Sequence, residues 1–152
     1  MATLQEQLLD SDRRDRVVAD LTDLMAQQVQ RQQGIWGILV RQGFSLFKKL
    51  ENGRFIERAL VSMLPEGAKA LDPYYQSYCF LPKADRPDFG TYLDRSRTEV
   101  VEAILAITDR RRDQSQNPLL VMTYDGLRAQ VFPAIEQGIV DLGAVIERHV
   151  QV

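Results

Sequence analysis

The stretch GIWGILVRQGFSLFKKL occupies residues 34–50, and its apolar residues recur at helical rather than alternating spacing. With Ile35 at zero and about 100° per residue, Ile35, Leu46, Leu39, Leu50, Gly43, Trp36, Phe47 and Val40 fall within an arc of roughly 140°. Phe44 sits at its edge. Arg41, Gln42, Ser45, Lys48 and Lys49 fill the opposite arc, and Ile38 alone breaks the pattern. Gly43 lies in the middle of the apolar arc, where a missing side chain lets another backbone come close.

Outward from this segment the same period continues. Val17, Val18, Leu21, Leu24, Met25 and Val29 recur helically up to Gly34, with Ser11 or Asp12 as the expected cap. Thr3 and Glu6 have capping-box spacing, as do Ser96 and Glu99 ahead of Val100, Val101, Ile104, Leu105 and Ile107. Asn52-Gly53 reads as a turn, since both residues tolerate positive φ. Phe55, Ile56, Ala59, Leu60, Met63 and Leu64 form another amphipathic helix, which Pro65 is expected to stop. Two short helices follow, one from Pro65 to Leu71 and one capped by Asp72-Pro73 and running through Phe80. Leu81 to Pro87 reads as a loop, and Asp88 as the cap of a short turn, FGTYL. Asn117-Pro118 starts a helix that Pro133 is expected to break or kink, leaving a last helix from about Pro133 to Val150. No segment alternates apolar and polar residues as a strand would. These signals predict an all-α fold, residues 1–152 forming a single-domain bundle of five or six main helices with short connecting helices.

Composition narrows the function classes. An apolar share of 45% and a charged share of 26% are those of a soluble globular chain. The formal net charge of −2 gives no field that would steer the protein onto nucleic acid. The run Arg110-Arg111-Arg112 is flanked by Asp109 and Asp113 and so is compensated. A lone Cys79 permits no internal disulfide and suits a reducing compartment. The N-terminus MATLQEQLL lacks a basic region followed by an apolar run, so no signal peptide is expected. The longest unbroken apolar run, Ile35–Val40, is far short of the about 20 residues of a membrane span.

Catalytic and metal constellations are not discernible. One cysteine and one histidine, His149, leave almost no ligands for a transition metal and no base beside the thiol. His149 ends a stripe formed by Ile135, Ile139, Leu142 and Ile146, so it is expected to close a packing face or meet the helix C-terminus. Paired carboxylates are available in principle among Asp85, Asp88 and Asp94 and at Glu99 with Glu102, against which stand the capping role of Glu99 and ordinary solvation of a helix back. No phosphate-binding glycine loop or nucleophile elbow is present. No cofactor and no catalytic residue are therefore expected.

Two surfaces remain. The aromatic segment offers a candidate pocket at Tyr74, Tyr75, Tyr78, Phe89 and Tyr92, against which stands ordinary half-buried packing. The helix at 35–50 offers a candidate interaction face through Trp36, Leu39, Val40, Gly43, Phe47, Lys48 and Lys49. From Ile35 to Leu64 five basic residues face two acidic ones, a local excess of +3. Leaving a large apolar side chain in water costs about 1.5–3 kcal/mol, whereas a charge near an anionic leaflet contributes about 1 kcal/mol. On that balance the greasy face is expected to turn into the protein's own core first, a protein partner or self-association second, and an anionic membrane third.

The segments GFSLFKKLENGRFIERALVSMLP, ALDPYY, DFGTYLDRSRTEVVEAILAITD and AIEQGIVDLGAVIERH together resemble a family of small helical bacterial proteins, seen in actinobacteria and cyanobacteria, classed as a domain of unknown function. The positions that carry the resemblance are Gly43, Phe44, Lys48, Lys49, Phe55 to Ala59, Leu64, Pro65, Leu71 to Pro73, Asp88, Phe89, Tyr92 and Leu93. The resemblance implies a shared helical fold and carries no activity with it. The expected role is a non-catalytic helical interaction protein, a homo-oligomer or adaptor in the cytoplasm. Peripheral binding to a membrane or lipid through residues 35–50 is the alternative, and a small-molecule pocket near residues 74–92 comes third.

Overall fold

Residues 2–150 are described by a computed structural model of the chain. Five long helices and two short ones follow in order: α1 (Leu4–Leu8), α2 (Arg14–Arg31), α3 (Gly34–Lys49), α4 (Phe55–Phe80), α5 (Phe89–Asp94), α6 (Arg97–Gln114) and α7 (Pro118–Arg148). Among the described residues there is no strand, so the all-α expectation holds.

Caps explain several of the boundaries. Thr3 Oγ1 accepts from the Glu6 N–H at 3.1 Å while Glu6 Oε2 accepts from the Thr3 N–H, the reciprocal box its spacing implies. Asp88 accepts from the Thr91 N–H at 2.8 Å, and Asn117 from the Leu119 and Leu120 N–H groups ahead of Pro118. The second expected box does not form. Ser96 sits at ψ 35 rather than in the extended region a side-chain cap requires, and Glu99 instead accepts from the Tyr74 hydroxyl at 3.3 Å. Neither Ser11 nor Asp12 caps α2. Its N-cap position is Arg13, reached through a turn built on the Asp10 carbonyl.

The prolines behave differently from the expectation. α4 runs unbroken for 26 residues through Pro65 and Pro73, so the two short helices expected there are its middle and end. Both prolines lie on the solvent side, while Leu64, Ala68, Leu71, Tyr75, Tyr78 and Cys79 of the same helix are buried. Burial of that face outweighs the missing ladder bonds, and Arg111 donates to the Ser62 carbonyl at 2.8 Å in the turn that Pro65 weakens. Asp72, expected to cap a helix of its own, caps α1 from a distance: it accepts from the Leu4 N–H at 2.9 Å. α7 likewise passes through Pro133 without a break and reaches 31 residues, packed by α2, α3, α5 and α6 along its length. At that length it is the one helix among the described residues long and apolar enough, by length and composition, to cross a membrane. Its C-terminal half nevertheless buries Ile139, Val145 and Ile146.

The core gathers Leu4, Leu8, Val17, Val18, the buried face of α4, Phe89, Leu93, Val100, Val101, Leu105, Ile139 and Ile146. α3 adds no side chain to it. Of its sixteen residues only Gly37 and Gly43 are buried. The helix is also bounded by left-handed backbone at both ends, Gly34 at φ 71 on one side and Glu51, Asn52 and Gly53 at φ 51, 58 and 84 on the other. The expected Asn52-Gly53 turn is present, with Glu51 drawn into it.

Candidate functional site: the outer face of α3

α3 rests on its neighbours through its glycines. A methyl group on Gly37 would strike the Gln32 carbonyl at the end of α2, and one on Gly43 would strike the side chains of Leu127 and Thr123 on α7. The close approach that Gly43 permits is thus made by side chains rather than by backbone. Val40, Phe44 and Phe47 lie half-buried on this inner side, and Phe47 meets Phe55 of α4 at a centroid distance of 5.7 Å. Arg41 closes the other flank by donating to the Gln32 carbonyl at 2.8 Å.

The core expectation for the apolar arc is therefore corrected. The inner face is centred on Gly43, Phe47, Val40 and Phe44, and the remainder of the arc points away from the protein. Ile35 is 71% exposed, Trp36 and Ile38 are each 50% exposed, and Leu39 and Leu46 are exposed as well. Ile38, which lies outside the apolar arc in projection, belongs to this outer set. The apolar arc is too wide for one contact, and the glycine seats decide which part of it turns inward. Of the residues expected to form an interaction face, Trp36 and Leu39 are outward, Val40, Gly43 and Phe47 are inward, and Lys48 and Lys49 are exposed. Lys48 lies over the Phe44 ring, its Nζ 5.7 Å from the centroid. Ile35, Ile38 and Leu46 are members that helical projection alone did not place outside. Leu119 and Met122, in the first turns of α7, are exposed too.

The aromatic segment is built differently. Tyr75 and Phe89 are fully buried and meet edge to face at 5.9 Å, Tyr78 packs on both Phe89 and Tyr92, and Tyr74 lies half-buried at the margin. The rings of Tyr75, Tyr78, Phe89 and Tyr92, expected to line a candidate pocket with Tyr74, thus lie against one another at the edge of the core. Their polar ends are taken by the fold: Gln7 donates to the Tyr75 hydroxyl at 2.9 Å, and the Tyr78 hydroxyl donates to the Pro87 carbonyl at 2.6 Å. Glu147 accepts from the Phe89 N–H and from the Tyr78 hydroxyl. Burial first, and then the Glu147 carboxylate, push the Tyr78 phenol up to about 12. Arg86 donates to the Cys79 and Leu81 carbonyls at the end of α4, pinning the 81–87 loop.

Several other titratable groups are similarly engaged. Cys79 is buried in the core cluster. His149 Nε2 lies 2.6 Å from Asp20 Oδ2, a pairing between the C-terminus and α2 that no local signal announces. Arg110 and Arg111 meet Glu66, while Arg112 forms a two-bond pair with Asp125. Asp109 accepts from Arg128 and, at 2.6 Å, from the Tyr124 hydroxyl, and these bonds hold its carboxyl below the usual carboxylate range. Asp94 pairs with Arg97. Among the described residues no group of three His, Cys, Asp or Glu side chains is placed to hold a metal ion.

The profile of a family described as being of unknown function, DUF6918, matches residues 4–150, nearly the whole described fold. The chain belongs to that family. No curated protein and no solved structure matches the chain. Family membership extends the resemblance seen at Gly43–Lys49, Phe55–Ala59 and Asp88–Leu93 to both the core and the α3 face, and brings no activity with it.

Proposed function

We propose that this protein is a non-catalytic helical interaction protein, an oligomer or adaptor of a bacterial cytoplasm, and that α3 is its contact surface. The observation that carries the reading is the outward set Ile35, Trp36, Ile38, Leu39 and Leu46 on a helix whose only buried residues are glycines. Isolated apolar residues on a surface are ordinary. Five on one helix are a concentration of exposed apolar side chains of the kind that marks an interaction site. The engagement of the polar side chains elsewhere in structural hydrogen bonds supports the same reading, as does the buried lone thiol, which suits a reducing compartment.

The test is an Ile38→Asp, Leu46→Asp variant compared with the parent chain by sedimentation at increasing concentration, by co-purification and by vesicle binding. The reading expects an association of the parent chain that the variant loses while its helical circular dichroism is unchanged. A parent chain that stays at 17.4 kDa and engages neither protein nor lipid would overturn it.

A further inference from the structure

We propose that the occupant of the α3 face is an anionic lipid surface, on which α3 lies in the plane of the interface with Ile35, Ile38, Leu39 and Leu46 toward the acyl region. This rests on the reading of α3 as the contact surface and names its partner. Three independent features converge on it.

The first is charge. Residues 35–64 carry five basic side chains and two acidic ones, an excess of +3 within a chain of net charge −2, which leaves −5 on the remainder. The apolar patch is therefore set in a stretch more basic than the chain as a whole. Lys49 is on the outer face, and Arg54 and Arg58 follow just beyond the helix. Among the described residues Lys48, Lys49 and Arg54 make no ion pair, so they are available to headgroup phosphates. An amphipathic helix with an aromatic residue and a basic margin is what binds at such an interface.

The second feature is the seating. α3 contributes nothing to the core cluster, touches α2 and α7 through glycines, and is delimited by left-handed residues at Gly34 and at Glu51–Gly53. Because the core cluster takes no side chain from it, its exposed residues can meet another surface without moving the core. Trp36, Lys48 and Lys49 are all exposed along this helix, and an indole and ammonium groups are side chains that settle at headgroup level.

The third is what the patch would do against a second copy. A two-fold contact that runs α3 parallel to its copy brings the basic ends of two chains together, where like charges are unfavourable, and an antiparallel one sets each basic end beside the other copy's Trp36 end. An anionic bilayer complements the basic residues in either orientation.

The experiment is co-sedimentation of the full chain with vesicles of phosphatidylcholine alone and of phosphatidylcholine mixed with phosphatidylglycerol, read together with Trp36 emission. Binding to the mixed vesicles, weakened by salt, with a blue shift of Trp36 on binding, is the expected result. Lys49→Glu changes two charge units and should weaken binding about thirtyfold, at about 1 kcal/mol per charge. Ile38→Asp, Leu46→Asp should abolish the blue shift. Absence of binding to the mixed vesicles at low salt overturns the lipid proposal, as does equal binding to phosphatidylcholine alone. If the chain instead self-associates and the double variant abolishes that, the lipid proposal falls while α3 stands as the contact surface. If neither association occurs, both fall.

Discussion

The backbones of Gly90 and Gly143 lie directly against each other. A methyl group on Gly143 would collide with the Cα and N of Gly90, and one on Gly90 with the carbonyl of Val140. α5 therefore crosses α7 with no side chain between them, which brings Phe89 into the core beside Tyr75 and Tyr78 and lets Glu147 reach the Phe89 N–H at 3.1 Å. This crossing, rather than any polar site, fixes where the aromatic segment sits.

Gly143→Ala should destabilise the fold by about 2 kcal/mol, because neither backbone can yield and the overpacking cost exceeds the about 1 kcal/mol of helix propensity gained. Gly126, on the same helix, has open space where its Cβ would be. Gly126→Ala should stabilise by about 0.5–1 kcal/mol. Thermal melting of the two variants should therefore move in opposite directions. Equal shifts would show that the Gly90–Gly143 contact is not tight.

Asp72→Ala should cost about 1 kcal/mol, the usual worth of a helix cap, since the Leu4 N–H then loses its acceptor. Asp72→Asn keeps an acceptor oxygen and should recover most of that loss. Urea midpoints of the two variants decide it. If both lose equally, charge and not capping is what Asp72 provides.

Alkaline pH should weaken the fold over a defined window. The Tyr78 phenol is raised from its ordinary 10 to about 12 in the folded protein, by burial first and then by Glu147. The unfolded chain then gives up this proton before the folded one. Stability from Tyr78 is complete below pH 10 and is lost as pH rises from 10 towards about 12. Tyr124, raised to about 12 by burial and Asp109, adds to the same slope. Tyr78→Phe should flatten the pH dependence of the urea midpoint in that range, and an unchanged slope would count against the assignment.

Leu39→Ala and Ile139→Ala separate surface from core. Ile139 is fully buried, and its truncation should cost about 2–5 kcal/mol. Leu39 is exposed on α3, and its truncation should change stability by less than about 0.5 kcal/mol. Comparable losses in guanidinium unfolding would place the outer face of α3 in the core after all.

Much of this architecture was legible in the chain itself. The helical period of Val17–Val29 and Val100–Ile107, the Thr3–Glu6 box and the Asn117-Pro118 and Asp88 caps are short-range devices, and short-range geometry is what sequence spacing encodes. The failures share one cause. Pro65, Pro73 and Pro133 disfavour a helix locally, and the burial of the opposite helix face and packing along α4 and α7 override that preference. Ser96 and Glu99 had the spacing of a box, but Tyr74 lay within reach of Glu99 from 25 residues away. The pairing of His149 with Asp20, 129 residues apart, has no local signature at all.

The candidate site divides along the same line. That residues 34–50 form an amphipathic basic helix with a wide apolar arc follows from residue order alone, because side-chain direction along a helix repeats every 3.6 residues. Which part of the arc meets water does not. Gly37 and Gly43 let α2 and α7 approach on one side only, and that approach turned Val40 and Phe47 inward and left Ile35, Trp36, Ile38 and Leu39 outside. Residue order thus makes the helix and its two chemical faces, and packing orients them, since the direction a face points depends on where distant segments lie and not on the order of its own residues.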